Sequence, residues 1–89
     1  MRSGVYKITN TKNGKFYIGS SKDIDDRWLN GHKSSLNRKQ HINPKLQHAW
    51  DFYGENTFQM ELVEMVEPNE TLLLEREQHY LDLLKPYVR

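Results

Sequence analysis

Two tyrosines, one arginine and one glutamate stand in an order that suits chemistry at a phosphodiester. Tyr6 closes the triplet Gly4-Val5-Tyr6, Tyr17 opens Tyr17-Ile18-Gly19, Arg27 follows, and Glu75 lies much later in a helical run. Hydrolysis of such a bond needs an activated water, positive charge at phosphorus and help for the leaving oxygen. Glu75 offers a hard oxygen to a divalent ion such as Mg²⁺, which takes one or two protein carboxylates and keeps most of its waters. The planar fork of Arg27 fits a phosphate that gains charge in the transition state. Each residue also has an ordinary explanation. Glu75 could be a solvent-facing helix acid, although its neighbours Thr71, Leu72, Gln78 and His79 make a mixed face. Arg27 could pair with Asp23 one turn back, worth only about 0.3–0.5 kcal/mol. Tyrosine is common in strands without any function.

Something must bring these groups together. Ser3–Thr9 and Lys15–Ser20 read as two strands joined through Asn13-Gly14, a strong hairpin signal. With the turn there, side-chain alternation puts Tyr6, Lys15, Tyr17 and Gly19 on one face and Val5, Phe16 and Ile18 on the other. Glycine inside a strand marks a close backbone approach, which fits Gly4 and Gly19. Ser20 and Ser21 can cap a helix running through Asp23, Asp25 and Asp26, with Ile24 and Trp28 on its inner stripe and Gly31 loosening or ending it. His32–His41 is polar and basic and reads as loop or frayed helix. Asn43-Pro44 starts a helix, Leu46, Ala49, Trp50 and Tyr53 form its stripe, and Gly54 stops it. A third strand spans residues 57–66. A last helix opens at Pro68 and runs to about Lys85, burying Leu73, Leu74, Tyr80, Leu81 and Leu84. The expected class is α/β, a small three-stranded antiparallel sheet flanked by helices in the order ββααβα.

Composition narrows the partners. The 89 residues make one small domain, 1–89, and the absence of cysteine excludes disulfides and thiolate metal sites. No apolar run reaches transmembrane length and the start lacks a signal peptide, so no membrane role and a cytoplasmic location are expected. The net charge of +1 hides a polarity: residues 1–45 balance at +7 and residues 46–89 at −6. Such asymmetry points to a basic surface facing a polyanion, unless the charges intermix on folding. Lys33, Arg38, Lys39 and Lys45, with Lys15, are the candidate contacts to a nucleic-acid backbone, which position without reading sequence. Trp28 and Trp50 fall on inner stripes and read as core; His48 reads as surface and His79 as a structural histidine.

The ordered set Gly4-Val5-Tyr6, Tyr17-Ile18-Gly19, Arg27 and Glu75 resembles the GIY-YIG nuclease family, and the Ser-Gly-Val-Tyr opening resembles catalytic domains of phage and intron-encoded homing endonucleases. The resemblance covers nearly the whole chain. It implies a three-stranded sheet flanked by helices and cleavage of DNA that depends on Mg²⁺ or Mn²⁺. It also implies Tyr6 and Tyr17 as the paired tyrosines, Arg27 facing phosphate, Glu75 as metal ligand, and a histidine that is His32 or His41. One departure stands out: the family closes its core near a Tyr-Asn pair, whereas this chain closes with Pro86-Tyr87-Val88-Arg89.

A free phenol has a pKa near 10, so a tyrosine acting as base near neutrality needs a shift of about three units, roughly 4 kcal/mol. Lys15, Arg27 and a metal are the cations that could supply it, and a histidine needs no such help. Tyr6 is therefore the first candidate base, following the family, and His32 or His41 the next, with Tyr17 orienting water or phosphate. The expected function is a metal-dependent DNA endonuclease leaving 5′-phosphate and 3′-hydroxyl, of the homing type. Rival readings are a structure-specific or repair-type nuclease and a DNA-binding module without catalysis. No DNA-reading module is visible, so targeting and double-strand cutting would need a further segment or a second copy.

Overall fold

The computed structural model describes residues 2–41 and 43–84. The closing segment Pro86-Tyr87-Val88-Arg89, and Lys85 at the expected end of the last helix, lie outside the described residues. Strands β1 (Gly4–Asn10), β2 (Phe16–Ser21) and β3 (Phe58–Met65) form one antiparallel sheet in the order β2-β1-β3. The hairpin pairs Tyr6 with Gly19 and Ile8 with Tyr17. The turn is Thr11–Gly14, closed by Asn10 N–H to the Lys15 carbonyl at 2.8 Å and Gly14 N–H to the Asn10 carbonyl at 2.8 Å. The loop is wider than a two-residue Asn-Gly turn, but the parity is unchanged, so the expected two faces stand.

The Tyr6 face carries the main core. Tyr6, Ile8, Ile24, Leu36, Leu46, Ala49, Trp50 and Phe58 pack together, with Tyr17, Trp28 and Met60 against them. Trp28 and Trp50 meet edge to face with ring centroids 6.2 Å apart, so both tryptophans belong to packing. The opposite face buries Val5 and Ile18 under the last helix, α4 (Glu70–Leu84), which packs on β2 and β1. Between Val5 and Tyr6 the β1–β3 register slips by one residue, so that Glu64 pairs with Val5 and shares its face. A Cβ on Gly4 would collide there with the Glu64 carbonyl oxygen, which is why glycine stands at that position.

Between β2 and β3 the chain is helical for longer than expected. The segments α1 (Ile24–Asp26), a π-helix (Arg27–Lys33) and α2 (Ser34–Asn37) follow without a break. The cap is neither expected serine. Asp23 Oδ1 accepts the Asp26 N–H at 3.2 Å, while the Ser21 hydroxyl braces the Asp23 backbone at 3.0 Å. Asp23→Ala should cost about 1 kcal/mol, lowering the midpoint of a thermal melt by about 4–8 °C; an unchanged melt would remove Asp23 from this role. Gly31 does not end the helix. Residues 32–37, expected as loop or frayed helix, continue it. Helix α3 (Pro44–Tyr53) begins at Asn43, whose side chain accepts the N–H groups of Lys45 at 3.0 Å and Leu46 at 3.1 Å, and it ends at Gly54. Helix α4 starts two residues after the expected Pro68, with Asn69 accepting the Leu72 N–H at 3.1 Å.

Candidate active site

A groove follows the outer edge of β2. Because β2 is an edge strand, both faces of the sheet reach it. Tyr6, Tyr17 and Gly19 come from one face, Ser20 from the other, Ser21, Lys22 and Arg27 from the strand end and helix start, and Glu70, Leu73, Leu74 and Glu77 from α4. The α4 residues are spaced i, i+3, i+4, i+7, one stripe of a helix.

Rotation of α4 decides which carboxylate enters. Arg76 donates to Glu64 Oε1 from Nε at 3.0 Å and Nη2 at 2.8 Å, and the Tyr80 hydroxyl donates to the same oxygen at 2.8 Å. That clamp turns Arg76 toward β3. Glu77, about 100° further round, turns toward β2, where Ser20 donates to its Oε1 at 2.6 Å. Glu75, about 200° from Glu77, is exposed and is not among the groove residues. The α4 carboxylates that line the groove are therefore Glu70 and Glu77. The spacing already allowed it: Glu77 lies i+4 from Leu73, i+3 from Leu74 and i−3 from Tyr80, on the stripe expected to be buried, of which Leu73 is buried and Leu74 exposed.

The glycine opposite Tyr6 is required by contact. A Cβ on Gly19 would stand 2.5 Å from the Tyr6 hydroxyl and 2.7 Å from Cζ. Tyr6 lies across that gap, 1% exposed, and its hydroxyl is hydrogen-bonded to His32 Nε2. On the far side His32 Nδ1 is 2.7 Å from His41 Nε2, and the two rings stack at 4.9 Å. Tyr17 sits edge-on to both, at 5.2 and 5.8 Å. His32 and His41, the two histidines left as alternatives, stand in one cluster. The π-helix makes this possible: its i→i+5 winding lines Arg27 up with His32, whereas an α-helix would set them about 140° apart.

Burial pushes the Tyr6 phenol well above its ordinary value, with Arg27 nearby opposing the rise. Burial also raises Tyr17, reinforced by the negative charge of Glu77. His32 is pushed down to about 3 by burial, then by His41 and Arg27; burial lowers His41 as well. At neutral pH the cluster holds protonated phenols and uncharged imidazoles.

The expected backbone-contact lysines lie elsewhere. Lys33 pairs with Glu55 at 3.0 Å and Lys39 with Asp51 at 3.4 Å, joining the basic half of the chain to the acidic half. Arg38 Nε reaches the Ser34 carbonyl at 3.4 Å. Lys15 and Lys45 are exposed and, like these, are not among the groove residues, whereas Lys22, which was not expected, is. His48 and His79 are exposed.

Comparison with known proteins places this chain in a class of catalytic domain. The family model described as the GIY-YIG catalytic domain matches residues 2–88, and the chain belongs to that family, whose members are endonucleases. Intron-associated endonuclease 1 of Enterobacteria phage T4 is 37% identical over 81 residues, covering 91% of this chain and 32% of the relative. The chain therefore spans about a third of that protein's length. The solved catalytic domain of homing endonuclease I-TevI superposes with a TM-score of 0.89 at 34% identity, covering 94% of this chain and 89% of that one. A glutamate-to-alanine mutant of the same domain gives a TM-score of 0.89 at 35% identity, covering 96% of this chain and 86% of that one. The three-stranded sheet flanked by helices is the shared fold. No helix among the described residues is long and apolar enough to cross a membrane.

Proposed function

We propose that the groove cuts DNA at single phosphodiesters with the help of one divalent ion, Mg²⁺ or Mn²⁺, held by Glu77. What carries this reading is that Glu77, fixed by Ser20, shares one groove with Arg27 and both tyrosines. The donor set fits such an ion. Mg²⁺ seeks hard oxygens, needs few protein ligands and is not built into a closed cage. Among the described residues no group of three or more His, Cys, Asp or Glu side chains is gathered as one. When bound, the ion would supply positive charge at phosphorus and make a water more acidic.

The chain's own residues complete the chemistry. Arg27 presents donors to the non-bridging oxygens as charge builds on them. Tyr17 keeps its proton at neutral pH and orients a water or a phosphate oxygen by donating to it. Tyr6, supported by the histidine pair, is the inner wall against which that geometry is set. Lys22 and Ser21 at the groove rim suit a passing phosphate backbone, while Lys15, Lys33, Arg38, Lys39 and Lys45 would serve the flanking duplex. In-line attack leaves a 5′-phosphate and a 3′-hydroxyl. The groove presents carboxylate, guanidinium and phenols to a backbone and no array aimed at base edges, so targeting falls to a separate DNA-reading segment, and double-strand cutting to a second copy or a second event.

Incubation with supercoiled plasmid tests the reading. Mg²⁺ should convert it to nicked circles with little sequence preference, EDTA should stop the reaction, and the new ends should carry 5′-phosphates. Salt-dependent DNA binding without nicking at any Mg²⁺ or Mn²⁺ concentration would reduce the domain to a binding module. A strong preference for branched over plain duplexes would replace the homing reading with a structure-specific one.

A further inference from the structure

The contacts behind Tyr6 form a chain with only one end free to choose. The backbone N–H of Asn43 points at His41 Nδ1 at 3.0 Å. A backbone N–H can only donate, so Nδ1 of His41 must be the bare, accepting nitrogen. The neutral ring then carries its proton on Nε2, which faces His32 Nδ1 at 2.7 Å. Two donors cannot share that line, so His32 Nδ1 accepts, and the proton of His32 lies on Nε2, against the Tyr6 hydroxyl.

We infer that the Asn43 backbone N–H sets the tautomers of His41 and His32 and makes the Tyr6 oxygen an acceptor from His32, with the phenol's own proton turned away from the histidines. His41 is thus a positioning residue that acts through His32. Tyr6 does not hand its proton back along the histidines in the resting enzyme; passing it that way would first require this whole line of donors to reverse. Any phenol proton used in the reaction leaves toward the groove, and the remaining oxygen keeps the His32 N–H as its partner.

The surroundings hold this arrangement. Asn43 is fixed as the cap of α3, so its N–H is aimed by the helix start. His41 is held from its other side: its backbone N–H donates to Gln47 Oε1 at 3.0 Å, while Gln47 Nε2 donates to the Leu36 carbonyl at 2.9 Å and Asp51 Oδ1 at 3.0 Å. The loop between α2 and α3 is therefore tied to both helices next to the ring. The low basicity of both imidazoles is consistent with rings that stay neutral.

Nitrogen-15 shifts of the imidazoles in the labelled 89-residue chain read the tautomers directly, without DNA or metal, so the result is independent of the endonuclease reading. Both His32 and His41 should show a protonated Nε2 and a bare Nδ1 at neutral pH. A proton on Nδ1 of either ring, or a doubly protonated His41, overturns the inference. In His41→Ala, His32 should lose its single tautomer and show a mixture. His41→Gln, whose amide can accept from one neighbour and donate to the other, should restore the Nε2–H form. A His32 that keeps one tautomer in His41→Ala would show that His41 does not set it.

Discussion

Glu77→Gln should abolish Mg²⁺-dependent nicking, with a loss of at least roughly 10²–10³-fold, the scale for removing one group that stabilises charge in a transition state. Glutamine keeps the size of the side chain and can still accept from Ser20, so the fold should survive and the melt should stay close to wild type. What disappears is the hard anionic oxygen. Glu75→Gln is the matched control. Glu75 stands on the exposed side of α4, where substitutions alter stability by no more than about 0.5 kcal/mol, and its nicking rate should match wild type. Single-turnover nicking under saturating Mg²⁺ decides between them. Full activity in Glu77→Gln together with loss in Glu75→Gln would return the ligand role to the exposed carboxylate and undo the groove described above.

Gly19→Ala should be nearly as damaging, by a steric route. The new methyl would stand 2.5 Å from the Tyr6 hydroxyl and 2.7 Å from Cζ, and Tyr6 cannot step back because its ring belongs to the main core. Overpacking of this kind costs about 1–3 kcal/mol, which at about 4–8 °C per kcal/mol for a domain of this size is a clear drop in melting temperature. Activity should fall further than stability, because the ring under pressure is the one bonded to His32. Adding Tyr6→Phe removes the atom nearest the methyl. The double mutant should regain part of the melting temperature while staying inactive, and simple additivity of the two changes would show that the residues do not press on each other.

These two residues also mark what sequence patterns could and could not convey. Gly19 was legible as a place where something comes close, and hairpin parity already set Tyr6, Tyr17 and Gly19 on one face. The Asn43-Pro44 start of α3 and the Leu46, Ala49 and Trp50 part of its stripe were equally plain, since caps and i, i+3, i+4 spacing are local properties, although Tyr53 of that stripe is exposed. The carboxylate was a matter of rotation. Motif order pointed to Glu75, whereas Glu77 lines the groove and Arg76 and Tyr80 on the same helix bond Glu64 of β3. The π-helix was hidden for a similar reason. Nothing local in residues 27–33 specifies a wider winding, and Gly31 reads as loosening or ending the helix; Ile24 and Leu36, on either side of it, pack into one core. The pairing of Lys33 with Glu55 and Lys39 with Asp51 could not be read from charge runs, because it joins segments far apart in the chain.

The π-helix means that Arg27 and His32 move as one body. In the proposed function one of them meets the substrate and the other holds the tyrosine in place, yet neither can be realigned without the other, because a single turn of backbone spaces them. Tightening that turn to ordinary winding would swing the guanidinium and the imidazole out of step at once. Under the proposed function the site would then be all-or-none in this respect: it would fail through the coil of the backbone, with every side chain still present.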